Sequence, residues 1–259
     1  MDIRLIGNLT FEEAGRLRES SVLLLPLGSM EQHGPHLPLD TDTILAQALA
    51  QAIVARFGET FDAWQLPALS LGLSREHAWA PGTLSLSVGG MAAFMREFAR
   101  EIARSLPARN LMIVNGHGGN RGLLEALAYE FSGDFGLNVC TLHIGALMSP
   151  VPDAGLPEIH AGRDETSLML ALAPDKVRCN RMNDLVGRLD EGAVRAAILD
   201  PGVSWPWSSG DRRIAHHGVI GDVSGASAEH GRAILDRILG SAGVALRQIL
   251  EVPCVPRIS

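Results

Sequence analysis

The sequence predicts an α/β fold of three layers, α/β/α, with a central, mainly parallel sheet. Three observations carry that prediction. Short apolar runs of strand length alternate with segments whose apolar residues recur at helical spacing. Aromatic residues make up only 5% of the chain while alanine, leucine and glycine abound, which suits helices packed on a sheet better than a β-sandwich. The 259 residues are 46% hydrophobic, with a mean hydropathy of +0.14, enough to bury a large core.

The elements follow in order. Val22 to Leu27 is a short apolar run, read as a buried strand. The segment 28–41 is rich in Gly, Pro and His and reads as a loop. From Asp42 to Phe57 the spacing of Ile44, Leu45, Ala48, Leu49, Ala52 and Ile53 is helical. Trp64 to Leu69 is a second strand. Gly89 to Leu106 is a helix with Met91, Phe94, Met95, Phe98 and Ile102 on one stripe. Leu111 to Val114 is a buried strand, Gly116 to Asn120 a tight loop and Arg121 to Phe131 a helix. Leu137 to Leu142 is a further strand, and Glu165 to Ala173 a short helix. Ser227 caps a long C-terminal helix with His230 in its first turn. No repeat, low-complexity stretch or linker interrupts this alternation, so residues 1–259 are read as a single domain.

Composition excludes several classes of function. A net charge of -7 and a pI of about 5.7 argue against nucleic acid or an anionic membrane as partner. Cys140, Cys179 and Cys254 show no CxxC spacing, which speaks against a disulfide framework or a thiolate zinc site. No apolar run approaches the roughly 18 residues of a membrane span. The opening residues lack a basic stretch followed by a long apolar run, so a cytoplasmic location is expected.

In a parallel sheet, ligands sit beyond the carboxyl ends of the strands. The two most unusual loops each follow a strand directly. The first contains Glu31 and His33, two apart, so that in extended backbone both side chains point the same way. Asp42 ends this loop where a helix begins; there it serves either as a cap or as a third polar ligand within twelve residues. The second loop, Asn115-Gly116-His117-Gly118-Gly119-Asn120, puts His117 at the mouth of a strand, as a structural histidine or a ligand. It lacks the GxxxxGK[ST] pattern of a phosphate loop. A third segment holds His160, suited to general acid or base chemistry, and Glu165 at a helix start.

Pro-Leu-Gly-Ser-Met-Glu-Gln-His-Gly-Pro-His-Leu-Pro-Leu-Asp-Thr-Asp, then Asn-Gly-His-Gly-Gly-Asn, then His-Ala-Gly-Arg-Asp-Glu-Thr-Ser, in that order, resembles the creatininase (creatinine amidohydrolase) family. Glu76-His77 with Pro81-Gly82-Thr83, and the segment Gly218 to Asp222, look like family segments too. The resemblance implies a creatininase-like fold and a two-metal hydrolase using Zn2+ or Mn2+, with Fe2+ as a further option. Its substrate would be a small-molecule or short-peptide amide, and its assembly a homo-oligomer, commonly a hexamer. Glu31, His33, Asp42 and His117 match the family's ligand positions, with Asp42 bridging the metals, and His160 matches a histidine beside the substrate.

One position departs from the pattern. Creatininases carry a glutamate ligand two residues after the histidine matching His117, and here that residue is Gly119. The missing ligand role passes to Glu165, with Asp164 next in line. Charge balance supports this: Glu31, Asp42, Glu165 and a bridging hydroxide offset the four positive charges of two divalent ions, whereas two carboxylates would leave a buried excess. The departure argues against creatinine as substrate. Segments His160 to Ser167 and Gly218 to Gly231 look closest to the branch of the mycofactocin peptidase, with formamide hydrolases and creatininase proper as alternatives.

The expected reaction is hydrolysis of a carbon-nitrogen bond by a hydroxide held between two metals, with His160 handing a proton to the departing nitrogen. A catalytically silent metal- or ligand-binding module on the same scaffold is the alternative of another class. His36 is expected to shape its loop. The segment Ser204 to Gly210, with Trp205 and Trp207, is expected to form a lid, a subunit contact or an ordinary surface loop. Trp79 is a candidate pocket wall, and Arg75 and Arg163 are candidates to read a substrate carboxylate, with directions left open.

Overall fold

The apolar run Val-Leu-Leu-Leu-Pro-Leu forms one of the two inner strands of the sheet, and the rest of the architecture is arranged around it. The computed structural model describes residues 4–148, 156–185, 189–199 and 205–251. Along the chain these form α1 (Phe11–Ala14), β1 (Val22–Leu27), α2 (Thr41–Phe61), β2 (Ala63–Gln65), α3 (Val88–Ser105), β3 (Asn110–Asn115), α4 (Arg121–Phe135), β4 (Asn138–His143), α5 (Ile144–Met148), α6 (Arg163–Leu172), α7 (Glu191–Val194) and α8 (Ala228–Glu251). The sheet has four strands in the order β2-β1-β3-β4, and every pairing is parallel.

The two-residue period of the strands splits the core into two layers. Leu23, Leu25 and Leu27, with Leu111 and Ile113, pack against Met91, Met95 and Ile102 of α3 and Leu124, Leu127 and Phe131 of α4. Val22 and Leu24, with Met112 and Val114, face the opposite way, toward Leu45, Leu49 and Ile53 of α2, Leu168 and Met169 of α6, and Ile234 and Ile238 of α8. Helices therefore cover both faces, as the all-apolar strands require.

The helices lie close to their expected places. Ser227 accepts a hydrogen bond from the backbone N–H of His230 at 3.1 Å, the cap its position predicted. α2 runs one turn beyond the expected Phe57, to Phe61, and stops at Asp62 in left-handed backbone. β2 is shorter than expected. It ends at Gln65, two residues before Pro67, and the chain rejoins β1 only at Leu69, whose N–H donates to the Pro26 carbonyl at 2.9 Å. Pro26 has no N–H of its own, and the side of β1 it would have served is where β2 has departed. No helix among the described residues is long and apolar enough to cross a membrane.

Register fixes the site. Leu27, Asn115 and His143 are laterally paired at the carboxyl ends of β1, β3 and β4. The loops after β1 and β3 therefore open at one level on one edge of the sheet.

Candidate metal centre

The loop after β1 carries Glu31 and His33 into the interior, and both are fully buried. Its far end starts α2, so that Asp42, in the first helical turn, points at the same place. Asp42 is no simple cap. Its carboxylate lies between two histidines, with Oδ1 3.0 Å from His33 Nε2 and Oδ2 3.2 Å from His117 Nδ1.

His117 comes from the loop after β3. Gly116 lets that loop press onto the Asp42 carbonyl, because any Cβ there would collide with it. His117 Nε2 donates to the Leu73 carbonyl at 2.6 Å, which leaves Nδ1 with its lone pair turned toward Glu31 Oε2, 3.2 Å away, and Asp42. His33 is held in the mirror sense. Its Nδ1 donates to the Glu31 carbonyl at 3.1 Å, freeing Nε2 for Asp42 and for Glu165 Oε1 at 3.6 Å. Tethering the outer ring nitrogen to a backbone carbonyl is the usual way a protein aims a metal-binding imidazole.

Glu165 arrives from the first turn of α6. Its Oε2 accepts from the Ala161 N–H at 2.7 Å, a contact made possible by the left-handed backbone of Ala161, with φ of 54°. Oε1 stays directed at His33. The alternative carboxylate, Asp164, is turned away, bound to His230 Nε2 at 2.7 Å and Arg163 Nε at 3.1 Å. Gly119 is closed to any side chain, since a Cβ would run into the Leu73 carbonyl and the His117 ring, with the Glu76 carboxylate close behind. Gly116 and Gly119 thus serve contacts within the protein, which speaks against a phosphate cradle.

His160 completes the cluster. Its Nε2 lies 2.8 Å from the Gln32 carbonyl, which can only accept, so that nitrogen carries the proton. Nδ1 is left open 3.7 Å from Glu31 Oε1. Burial, then the neighbouring His33 charge, pull the His160 pKa below its ordinary value.

Four side chains escaped sequence reasoning: His77, Ser74, Ser209 and Gln32. His77 Nε2 lies 3.3 Å from Glu31 Oε1, and the His77 ring stacks on His160 at 4.0 Å. Ser74 Oγ donates to Glu31 Oε2 and contacts Ser29 Oγ. Ser209 Oγ gathers His77 Nδ1 at 2.7 Å, Trp79 Nε1 at 2.9 Å and Gln32 Nε2 at 3.1 Å. The sequence marks Glu76-His77 only as a family-like segment. Trp79 serves this network instead of lining the cavity. Arg163 is spent on Asp164. Ser204 lies outside the described residues, while Trp205 and Trp207 do reach the cavity wall.

The donor set fits divalent cations. Among the described residues, three groups of donors lie close enough to share an ion: Glu31, Asp42 and His117; His33, His160 and Glu165; and Glu31, His77 and His160. Glu31 Oε1 and Asp42 Oδ2 are buried and lack a hydrogen-bond partner among the described residues, a costly state for a carboxylate unless a cation answers it. The electrostatics agree. Burial opposes charge on His33, yet Asp42 and Glu165 outweigh it and raise its pKa well above the ordinary value. Burial likewise opposes charge on His117, where Glu31 and Asp42 prevail. Asp42 and Glu165 are held low by these histidines against the pull of burial. The field that would hold protons on two imidazoles is the field that attracts metal. A cavity of about 550 Å³ opens onto this cluster, walled by Met148, Ile159, Trp205, Pro206 and Trp207.

Residues 7–245 match the creatininase family, described as creatinine amidohydrolase. The mycofactocin precursor peptide peptidase of Mycolicibacterium smegmatis is 32% identical over 241 residues, covering 88% of this chain and 85% of that protein. The creatinine amidohydrolase of Pseudomonas putida is 32% identical over 201 residues, covering 69% and 75%. Among solved structures, a manganese creatininase superposes with a TM-score of 0.75 at 28% identity, covering 96% of this chain and 99% of that one. A mutant creatininase of zinc–zinc type gives the same TM-score and identity, covering 97% and 100%.

Proposed function

This chain belongs to the creatininase family, and from that premise we propose that it is a metal-dependent amidohydrolase that cuts the carbon-nitrogen bond of a small-molecule or short-peptide amide. We assign one divalent ion to Glu31, Asp42 and His117, and a second to His33, Asp42 and Glu165, with Asp42 shared. Imidazole and carboxylate donors suit Zn2+ or Mn2+, the metals of the structural neighbours. The observation that carries this reading is the pairing of His33 and His117. Each is tethered outward to a backbone carbonyl and faces inward on carboxylates, two of whose oxygens are otherwise orphaned.

The ions, when bound, supply Lewis acidity toward water and toward the amide carbonyl. The chain's own residues do the rest. His160, neutral and with Nδ1 open to the cavity, takes a proton from the attacking water and passes it to the departing nitrogen. Gln32 fixes the tautomer that makes this possible. Ser74 holds Glu31 through Oε2, and His77 lies beside Oε1. Trp205 and Trp207 give the cavity an apolar wall.

The peptidase relative matches a larger share of the chain than the creatinine amidohydrolase does, and Gly119 has no room for the glutamate of creatininases. Both favour a peptide-like amide over creatinine. A cytoplasmic homo-oligomer, hexameric by resemblance, completes the reading, and light scattering checks the subunit number. The central test is elemental analysis of purified protein, followed by chelation, reloading with Zn2+ or Mn2+, and hydrolysis of lactams, formamides and short peptides. We expect two ions per chain and metal-dependent turnover. Two bound ions with no turnover of any member of the panel would favour the silent module instead.

A further inference from the structure

Resting on the amidohydrolase reading, we propose that Arg75 is the specificity residue of this cavity. Its guanidinium receives a free carboxylate on the substrate, so the substrates are amides ending in a carboxylate, such as acyl-amino acids and the C-terminal ends of short peptides.

The placement of Arg75 carries the argument. Its neighbours lie against the donor cluster on both sides. Ser74 Oγ donates to Glu31 Oε2, and His77 Nε2 sits 3.3 Å from Glu31 Oε1. The backbone closes the single turn Arg75–His77 through Ala78 N–H to the Arg75 carbonyl at 3.2 Å. The root of Arg75 is thus fixed beside the centre, while its side chain is exposed and lines the cavity. It is the one arginine or lysine among the described residues that do so.

The second observation is chemical. Glu31, Asp42, Glu76 and Glu165 line the same cavity, yet Arg75 pairs with none of them and has no partner among the described residues. By contrast, Arg163 is bound to Asp164. A planar guanidinium left open at the mouth of a cavity presents a two-pronged donor matched to a carboxylate. It also supplies the positive charge that an incoming anion needs beside Glu76. The facing wall of Trp205, Pro206 and Trp207 offers apolar surface for the body of such a substrate.

The test compares matched pairs of short peptides and acyl-amino acids, each as the free acid and as the carboxamide, on metal-loaded protein. Wild type should prefer the acids, and Arg75→Gln should collapse the acid-to-carboxamide ratio of kcat/KM by about ten- to a hundred-fold, mainly through KM. Arg75→Lys should restore part of that ratio, which a merely structural role would not do. Equal turnover of acids and carboxamides by wild type, turnover of neutral amides alone, or a ratio that survives Arg75→Gln would overturn the proposal and leave the amidohydrolase reading standing. Failure of the metal-loaded protein to cut any amide would overturn both.

Discussion

The donor cluster has two halves of different origin. Glu31 and His117 come from the loops after β1 and β3, and Asp42 from the first turn of α2, where the loop after β1 ends; the register of the two strands opens both loops on one edge. His33 and Glu165 meet only because α6 docks against the loop after β1. The first half is a property of the sheet, and the second is a property of an interface. The difference teaches where a two-ion site of this kind is robust and where it is adjustable. In the proposed assignment, a carboxylate that creatininases carry on the loop after β3 is supplied by the docked helix, as Glu165, because Gly119 leaves no room for a side chain.

Asp42 spans both halves, so its loss has the largest expected effect. Asp42→Ala should abolish retention of both ions, measured by elemental analysis after gel filtration, and with it all amide turnover. A variant that keeps two ions and works normally would refute the shared role.

Glu165 separates the halves. Glu165→Gln should reduce the metal content from two ions to one and lower kcat by about a thousand-fold, an effect on the scale of lost electrostatic stabilisation at a reaction centre. Glu31→Gln should also cost an ion, but it should disturb His77 and Ser74 as well. If Glu165→Gln keeps both ions, the second half has been drawn wrongly.

His160 lies at the seam, within reach of Glu31 and with its ring 4.4 Å from that of His33. As a proton carrier it is dispensable to the ions. His160→Asn should therefore keep the metal content and lower kcat by about a hundred-fold. Loss of an ion in that variant would make His160 a ligand instead.

Legibility in the sequence follows the same division. Glu31, His33, Asp42 and His117 could be read because two glycine-rich loops follow two apolar strands, and parallel sheets gather such loops at one edge. Glu165 was reached only through the family glutamate missing at Gly119, with charge balance in support, since a glutamate at a helix start otherwise reads as dipole compensation. Ser74 and His77 were hidden because the stretch between β2 and α3 has no periodicity to orient its side chains. Gln32 was hidden by its neighbours, its amide looking like a spacer between two ligands. The layers and most helices were legible from spacing alone. The early end of β2 turned on Pro67, within an apolar run that otherwise continues to Leu69.

The smallest effect concerns the joint that docks one half onto the other. His36 Nε2 bonds Thr166 Oγ1 of α6 at 2.8 Å, and the His36 carbonyl accepts from the Arg178 N–H at 2.8 Å. Burial, helped by the charge on His33, pushes the His36 pKa down to about 4 despite the opposing pull of Glu165. A histidine whose folded value lies below the unfolded value of about 6.5 favours the fold while neutral and disfavours it as protons bind. His36 should therefore be silent above about pH 7 and should erode stability as pH falls from about 6.5 toward 4. Linkage puts the loss at about 2 kcal/mol between pH 6.5 and 5. His36→Gln, which can still bond Thr166, should flatten that part of the pH profile in urea unfolding. A metal titration at pH 5 extends the comparison: with the joint loosened, the ion of His33 and Glu165 should leave before the ion of Glu31 and His117. Simultaneous loss would mean that the sheet edge and the docked helix hold their ions as a single unit.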